Sequence, residues 1–183
     1  YASYINTITE QKYGRPLILA MSADLSDSTN ISGFAKGYGG ARDKGFYEKK
    51  SNTKSPLFPQ GITEFTNAGM MAGAVTVNFS AKPYESFSGF YGAVSTYGSF
   101  SYLKYGPLRL FSQLAQDSEL KVGKIIWVVG HSGPETAEDS RTHYGIFAPG
   151  VTQLFPNGSI INIHPWEHNE VAPSLACLLY TSD

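Results

Sequence analysis

The feature that most constrains the fold of this chain is a short apolar run followed at once by a polar loop. In residues 124–129, one lysine precedes five apolar residues in succession. A run this short, apolar on both faces, predicts a strand buried on both sides, as in a parallel sheet. The loop that follows, residues 130–143, holds two histidines, one aspartate and two glutamates. Ligands of open α/β sheets bind beyond the carboxyl ends of the strands, so this loop is a candidate site.

The remaining chain predicts an α/β domain, with a mainly parallel sheet flanked by helices on both faces. Further strands are predicted at residues 16–21, 82–87 and 159–163. Helices are predicted at residues 1–14, 66–75, 91–117 and 143–154, and a last helix begins within residues 164–170. Glu64 stands at the start of the second helix, and the third is interrupted near Gly106 and Pro107. Residues 31–60 are rich in Gly, Lys and Ser and predict a long irregular loop, a type that is often functional.

Composition excludes several classes of partner. The 183 residues carry a net charge of −1, so no basic field attracts nucleic acid or anionic lipid. No apolar run reaches membrane-spanning length. The single Cys177 agrees with a reducing compartment. We therefore expect a cytoplasmic protein with neither nucleic-acid nor membrane partners.

The residues alone leave the nature of the site open. The spacing of His131 and His143 fits no zinc pattern, and the chain has neither a Gly-x-Ser-x-Gly motif nor a Gly-rich phosphate loop. Two histidines of this kind more often form structural hydrogen bonds than take part in catalysis. Glu64 fits a first-turn acid favoured by the helix dipole, and residues 26–30 fit a turn or helix cap. Phenylalanines such as Phe87 and Phe90 usually pack in cores.

Five blocks of the chain, in order, resemble motifs of transketolases: residues 22–30, 61–73, 82–90, 130–143 and 164–170. In the central loop, Gly-His-Ser and then Ala-Glu-Asp-Ser-Arg-Thr-His are similar to Thr-His-Asp and Gly-Glu-Asp-Gly-Pro-Thr-His of that family. The resemblance spans most of the chain. It implies the pyrimidine-binding domain of an enzyme that uses thiamine diphosphate to transfer a two-carbon ketol unit between sugar phosphates.

The resemblance also implies roles for the cofactor-binding residues. Glu64 corresponds to the catalytic glutamate that binds the pyrimidine ring, and Asp24 lies near the cofactor. Phe87 and Phe90 correspond to two aromatics that hold that ring. The family's third aromatic falls at Ala93, and both Tyr91 and Tyr97 are candidates to replace it.

Substrate-binding roles follow in the same way. His131 and His143 correspond to active-site histidines that contact substrate, and Asp139 to an aspartate that binds a sugar hydroxyl. Ser28 corresponds to a residue that reaches the distal phosphate, although Asp27 replaces the family's proline. Arg141 departs from the family pattern: it either pairs with neighbouring acids or grips a substrate phosphate or carboxylate.

The resemblance implies partners as well. In transketolases a separate domain with a Gly-Asp-Gly motif holds the diphosphate and its Mg²⁺ or Ca²⁺, and that motif is absent here. We therefore expect no metal site in this chain, no activity from it alone, and a homodimer. We predict a single domain over residues 1–183 that is cut at both ends, and the unusual residues 177–183 suggest a non-native tail. The alternatives are 1-deoxyxylulose-phosphate synthase, a pyruvate dehydrogenase component, or a non-catalytic domain that kept the fold.

Overall fold

The computed structural model describes residues 1–39, 45–130, 143 and 148–180. In chain order its regular elements are α1 (Ala2–Tyr13), β1 (Ile18–Ser22), β2 (Leu57–Phe58), α2 (Glu64–Thr76), β3 (Tyr91–Tyr97), α3 (Tyr105–Asp117), β4 (Ile125–Gly130) and α4 (His168–Tyr180). Short 3₁₀ segments cover Ser32–Ala35, Gly98–Lys104 and Ala148–Leu154. None of the helices in this part of the chain has the length and apolar character needed to cross a membrane.

The four strands form one parallel sheet in the order β2-β1-β3-β4. Ile18 of β1 lies opposite Tyr91 of β3, and Gly92 of β3 lies opposite Ile125 of β4. The chain passes from β2 to β3 through α2, and from β3 to β4 through α3, which is the crossover that parallel neighbours require. The predicted α/β class with a parallel sheet is confirmed.

Helices cover both faces of the sheet, as predicted. Alternate strand residues point to opposite faces, and the buried side chains accordingly divide into two clusters. On one face, Ile18, Ala20 and Ala93 pack with Ile5 of α1 and Leu179 of α4. On the other face lie Met21 and Val94 of the sheet, Ala68, Met71 and Val75 of α2, and Leu108 of α3.

The contact between α2 and β3 is unusually close because β3 contains a glycine. A β-carbon on Gly92 would lie 2.4 Å from Cγ of Met71 and 3.2 Å from Cγ1 of Val75. Both residues belong to the last turns of α2, whereas Glu64 at the start of α2 contacts Thr96 near the end of β3. The helix therefore runs antiparallel to the strand, and its amino terminus lies at the carboxyl edge of the sheet.

The side chain of Asn6 completes the hydrogen bonding of β1. Strand β2 is only two residues long and pairs with Ala20 and Met21, so it does not reach the start of β1. The buried Asn6 side chain donates from Nδ2 to the Ile18 carbonyl and accepts at Oδ1 from the Ile18 N–H, each at 2.9 Å. This pair of bonds supplies the partners that a longer edge strand would provide and fixes α1 against the sheet.

Two of the predicted strands are wrong. Residues 82–87 form a turn, in which the N–H groups of Glu85 and Ser86 both bond to the Lys82 carbonyl. The Asn78 side chain, rather than a neighbouring strand, holds the carbonyls of Pro83 and Ser86. Residues 159–163 also form no strand.

The predicted helix over residues 91–117 is correct only in its second half. Residues 91–97 form the central strand β3, and Pro107 falls in the first turn of α3, where a proline is tolerated. The strand contains small residues such as Gly92 and Ala93, which suit a strand that is covered on both faces. The loop predicted over residues 31–60 also contains β2 and a 3₁₀ segment. Where a helix was predicted over residues 143–154, the structure has a 3₁₀ segment at residues 148–154.

The close packing at Gly92 predicts opposite effects of two Gly→Ala substitutions. Gly92→Ala should lower the free energy of unfolding by about 1–3 kcal/mol because Met71 must move. Gly73→Ala, at an exposed site of α2 with open space around it, should raise that free energy by about 0.5–1 kcal/mol. Urea denaturation of both variants measures this, and equal stabilities would contradict the packing argument.

Candidate functional site

Three parallel strands end side by side at the carboxyl edge of the sheet. Ser22, the last residue of β1, pairs with Ser95 of β3, and Tyr97, the last residue of β3, pairs with Gly130, the last of β4. The segments that follow these strands therefore meet at one edge. Asp24 follows β1 there and is half-buried, and its Oδ1 accepts a hydrogen bond from the Leu25 N–H at 2.7 Å.

Glu64 reaches the same edge from α2. Its side chain is only 6% exposed, and Oε1 accepts a hydrogen bond of 2.9 Å from the Thr96 hydroxyl. As the first residue of α2, Glu64 lies where the helix dipole favours a carboxylate. Among the described residues, the other carboxylate oxygen has no hydrogen-bond partner. A buried carboxylate fixed at one oxygen can receive a donor from a ligand at the other.

Hydroxyl groups fix the segment after β1. Thr29 is fully buried, and its hydroxyl contacts those of Ser22 at 2.7 Å and Ser95 at 2.9 Å. One residue earlier, the Ser28 hydroxyl lies 2.7 Å from the Tyr97 hydroxyl. Residues 26–30 thus form the turn that their composition favours, and the turn also holds Ser28 over the end of β3.

Aromatic rings lie next to this edge. The imidazole of His143 is 4.7 Å from the ring of Tyr97 and 5.8 Å, edge to face, from the ring of Phe100, measured between centroids. Tyr97 ends β3 directly after Thr96, the partner of Glu64. The structure thus brings Asp24, Ser28, Glu64 and His143 to one edge.

Phe87 and Phe90 do not lie at this edge, which corrects their predicted place beside the pyrimidine ring. Both precede β3, and Phe90 instead contacts the guanidinium of Arg15, 4.8 Å from its ring centroid. Phe87 stacks on Tyr91 at 5.7 Å. The length of β3, about 20 Å for seven residues, separates them from Thr96. One ring bound at Glu64 cannot reach across that distance.

The aromatic pair at the correct edge is Tyr97 and Phe100, which has the same three-residue spacing as Phe87 and Phe90. Ala93, proposed as the third aromatic position, is buried in the middle of β3. Of its two candidate replacements, Tyr97 lies at the carboxyl edge and Tyr91 at the opposite end of the strand. The spacing was visible in the sequence, but choosing between the two pairs required knowing which residues form the strand.

Lys104 is a second feature that the sequence did not reveal. It is fully buried at the end of the 3₁₀ segment, and its Nζ donates to Oδ1 of Asn67, one turn after Glu64 on α2, at 2.6 Å. Burial lowers the pKa of Lys104 to about 7, while the negative charge of Glu64 acts to raise that pKa. A polar cluster therefore lies behind the carboxylate.

His131, Asp139 and Arg141 fall outside the described residues, so their predicted roles remain predictions. In the part of the chain that is described, no group of three or more His, Cys, Asp or Glu side chains is placed to hold a metal ion. Residues 177–180, at the start of the tail suspected to be non-native, belong to α4.

The described residues fit an aminopyrimidine ring. Such a ring needs an acceptor for a ring-nitrogen proton and flat apolar surfaces, and the unpartnered oxygen of Glu64 and the rings of Tyr97 and Phe100 are of these kinds. A ring in contact with Glu64 would lie at the carboxyl edge, where parallel sheets bind ligands.

Comparison with known protein families agrees with this geometry. The family model described as transketolase, pyrimidine binding domain, matches residues 4–181. No curated protein and no solved structure matches the chain. The match covers nearly the whole chain and includes all of the elements at the carboxyl edge. The chain therefore belongs to the transketolase pyrimidine-binding domain family, a family of thiamine diphosphate-dependent enzymes.

Proposed function

We propose that this chain is the pyrimidine-binding part of a transketolase, which transfers a two-carbon ketol unit between sugar phosphates. The observation that carries the proposal is the buried Glu64 carboxylate, fixed by Thr96 at one oxygen and without a partner, among the described residues, at the other. A group that is expensive to bury and incompletely paired is typical of a functional site rather than of a stabilising contact.

Glu64 would hold a proton between its free oxygen and a nitrogen of the bound pyrimidine ring. Thiamine diphosphate, when bound, supplies the nucleophilic carbon that carries the two-carbon unit. The hydrogen bond from Thr96 keeps the carboxylate in one orientation, so the proton is held at a defined place. Tyr97 and Phe100 would supply apolar surface to the ring and exclude water from it.

The sugar would lie beyond the ring, on the side of the polar loop. His143 is packed against Tyr97 and Phe100, and an imidazole there can hydrogen-bond substrate hydroxyls or a developing oxyanion. We assign the same kind of role to His131, a hydroxyl contact to Asp139, and phosphate contacts to Ser28 and Arg141. These assignments rest on the resemblance to transketolases described above.

We further propose that a diphosphate-binding domain, in the same or a partner subunit, supplies the diphosphate and Mg²⁺ or Ca²⁺ contacts. The exposed surface of α2 and α3 supports such an interface, because Phe65 and Leu110 are 65% and 67% exposed. Large apolar side chains of this kind on neighbouring helices suit a protein interface. A homodimer working in the cytoplasm, in the pentose phosphate pathway, would agree with this function.

Replacing Glu64 tests the central role. In the complete enzyme, Glu64→Gln should reduce turnover by about 10²- to 10⁴-fold, because the amide cannot hold the proton. The fold should persist, since the Gln carbonyl can still accept the Thr96 hydrogen bond. Steady-state ketol transfer at saturating cofactor is the measurement, and Glu85→Gln, at an exposed glutamate, is the control. Near-normal turnover of the Glu64 variant would refute the role.

Two Phe→Leu substitutions distinguish the two aromatic pairs. In the complete enzyme, Phe100→Leu should weaken cofactor binding about three- to tenfold, which corresponds to the loss of one aromatic contact. Phe90→Leu, at the opposite end of β3, should leave cofactor binding unchanged. Fluorescence titration of both variants with thiamine diphosphate measures the difference, and the reverse ranking would restore the original assignment of Phe90.

The isolated chain should bind thiamine diphosphate poorly. Charge-assisted contacts to a diphosphate are worth about 1.5–3 kcal/mol each, and they would come from the other domain. Isothermal titration calorimetry of the 183-residue chain should therefore give no micromolar binding, whereas addition of the diphosphate-binding domain should restore it. Micromolar affinity of the chain alone would contradict this division of the site.

A further inference from the structure

A buried amine lies directly behind the site. Lys104 closes the 3₁₀ segment and precedes α3, and none of its surface is exposed. Its Nζ donates to Oδ1 of Asn67 at 2.6 Å, and Asn67 is one helical turn along α2 from Glu64. We call Glu64, Asn67, Thr96 and Lys104 the buried polar cluster.

The cluster is only partly satisfied. An ammonium has three donors, but among the described residues Lys104 has the single partner Asn67. The Nδ2 of Asn67 is buried and has no hydrogen-bond partner in the same part of the chain. No ion pair joins Lys104 to a carboxylate among the described residues, so Glu64 acts on Lys104 only through space. Burying an incompletely paired ammonium is costly, and Lys104 loses its proton easily for that reason.

Glu64 is the ionisable group that controls Lys104. The elements packed against the 3₁₀ segment Gly98–Lys104 are α2, α3, β3, β4 and the 3₁₀ segment Ala148–Leu154. The titratable or charged residues on or against them are Glu64, Tyr91, Tyr97, Tyr102, Tyr105, Arg109, Asp117 and His143. Of these, Glu64 raises the pKa of Lys104, against the larger lowering effect of burial, and the result is a value of about 7.

We propose that Lys104 is a positioning residue that balances the charge of Glu64: its ammonium offsets the carboxylate until the aminopyrimidine ring binds, the ring nitrogen then takes up from solvent the proton that it shares with Glu64, and Lys104 releases its own proton to solvent. The inference rests on the proposed function, in which Glu64 binds that ring. Two cations near one carboxylate repel each other strongly where the dielectric constant is low. The proton that leaves is the one held less firmly, on Lys104.

The consequence is a defined pH dependence of cofactor binding. Below about pH 7 Lys104 is charged and must lose a proton before the ring binds, whereas above it the amine is already neutral. Relative to Lys104→Met, the wild-type protein should therefore bind the cofactor more tightly as the pH rises through about 7, because the proton taken up by the ring affects both proteins equally. If Lys104 releases one proton, the ratio of wild-type to Lys104→Met affinity should rise about tenfold between pH 6 and pH 8. In Lys104→Met the side chain at this position is neutral at every pH, as the amine of Lys104 is at high pH. The part of the pH dependence that comes from Lys104 should therefore vanish.

The first measurement concerns the 183-residue chain without cofactor. With ¹⁵N-labelled lysine, the Nζ signal of Lys104 should titrate near neutral pH, and in Glu64→Gln it should titrate at lower pH, because the charge that raises its pKa is gone. The inference would be overturned if the Lys104 amine stays protonated beyond pH 9, or if it titrates at the same pH in Glu64→Gln as in the wild type.

The second measurement is the affinity of the complete enzyme for thiamine diphosphate from pH 6 to pH 8, for wild type and Lys104→Met. Lys82→Met, at an exposed lysine paired with Glu85 at 2.9 Å, is the matched control and should keep the wild-type pH dependence. Lys104→Gln retains a donor for Asn67 without the charge, and its pH dependence should follow that of Lys104→Met. Circular dichroism establishes that each variant is folded.

The outcomes separate this inference from the proposed function. If Lys104→Met and Lys104→Gln keep the full wild-type pH dependence while Glu64→Gln still abolishes turnover, the inference fails and the proposed function stands. If Glu64→Gln leaves cofactor binding and turnover intact, the proposed function fails, and the inference fails with it. Loss of the pH component in both Lys104 variants, together with the lower Lys104 titration in Glu64→Gln, supports the inference.

Discussion

The packing of α2 on β3 is the constraint on which the site depends. Gly92 has no side chain, so Met71 and Val75 approach the strand closely and fix one end of the helix. From Glu64 to Val75 the helix rises about 16 Å, and from Gly92 to Thr96 the strand spans about 13 Å. Because the two elements are similar in length and run in opposite directions, the first residue of α2 meets the last residues of β3. The Glu64–Thr96 hydrogen bond is the result.

The polar groups at that end of α2 are hard to explain by stability alone. A carboxylate and an ammonium are both withdrawn from water here, and an apolar pair of similar size would usually stabilise a core as well or better. The opposite end of the same helix is closed by Met71 and Val75, which are apolar. A helix that is apolar at one end and holds a partly satisfied polar cluster at the other is consistent with a binding site placed at its amino terminus.

The loop after β1 shows how the edge is made rigid without large side chains. The hydroxyl groups of Ser22, Thr29 and Ser95 bond to one another across two neighbouring strands. Each is buried and each has a partner, so the segment carrying Asp24 and Ser28 is tied to the sheet. The edge therefore offers fixed positions for a ligand, which is what catalysis by orientation requires.

The sequence by itself determined the fold class, the strands at residues 16–21 and 124–129, and the place of Glu64 at the start of a helix, because these follow from local apolar runs and from motifs read without knowing their neighbours. It did not determine β3, because a central strand covered on both faces is made of small and mixed residues that resemble a packed helix. The assignment of Phe87 and Phe90 rested on the resemblance of residues 82–90 to a transketolase motif, and without β3 the sequence could not show that both residues lie at the other end of that strand. Only the tertiary structure chose Tyr97 and Phe100 and brought Lys104 behind Glu64, since both depend on contacts between residues more than thirty positions apart.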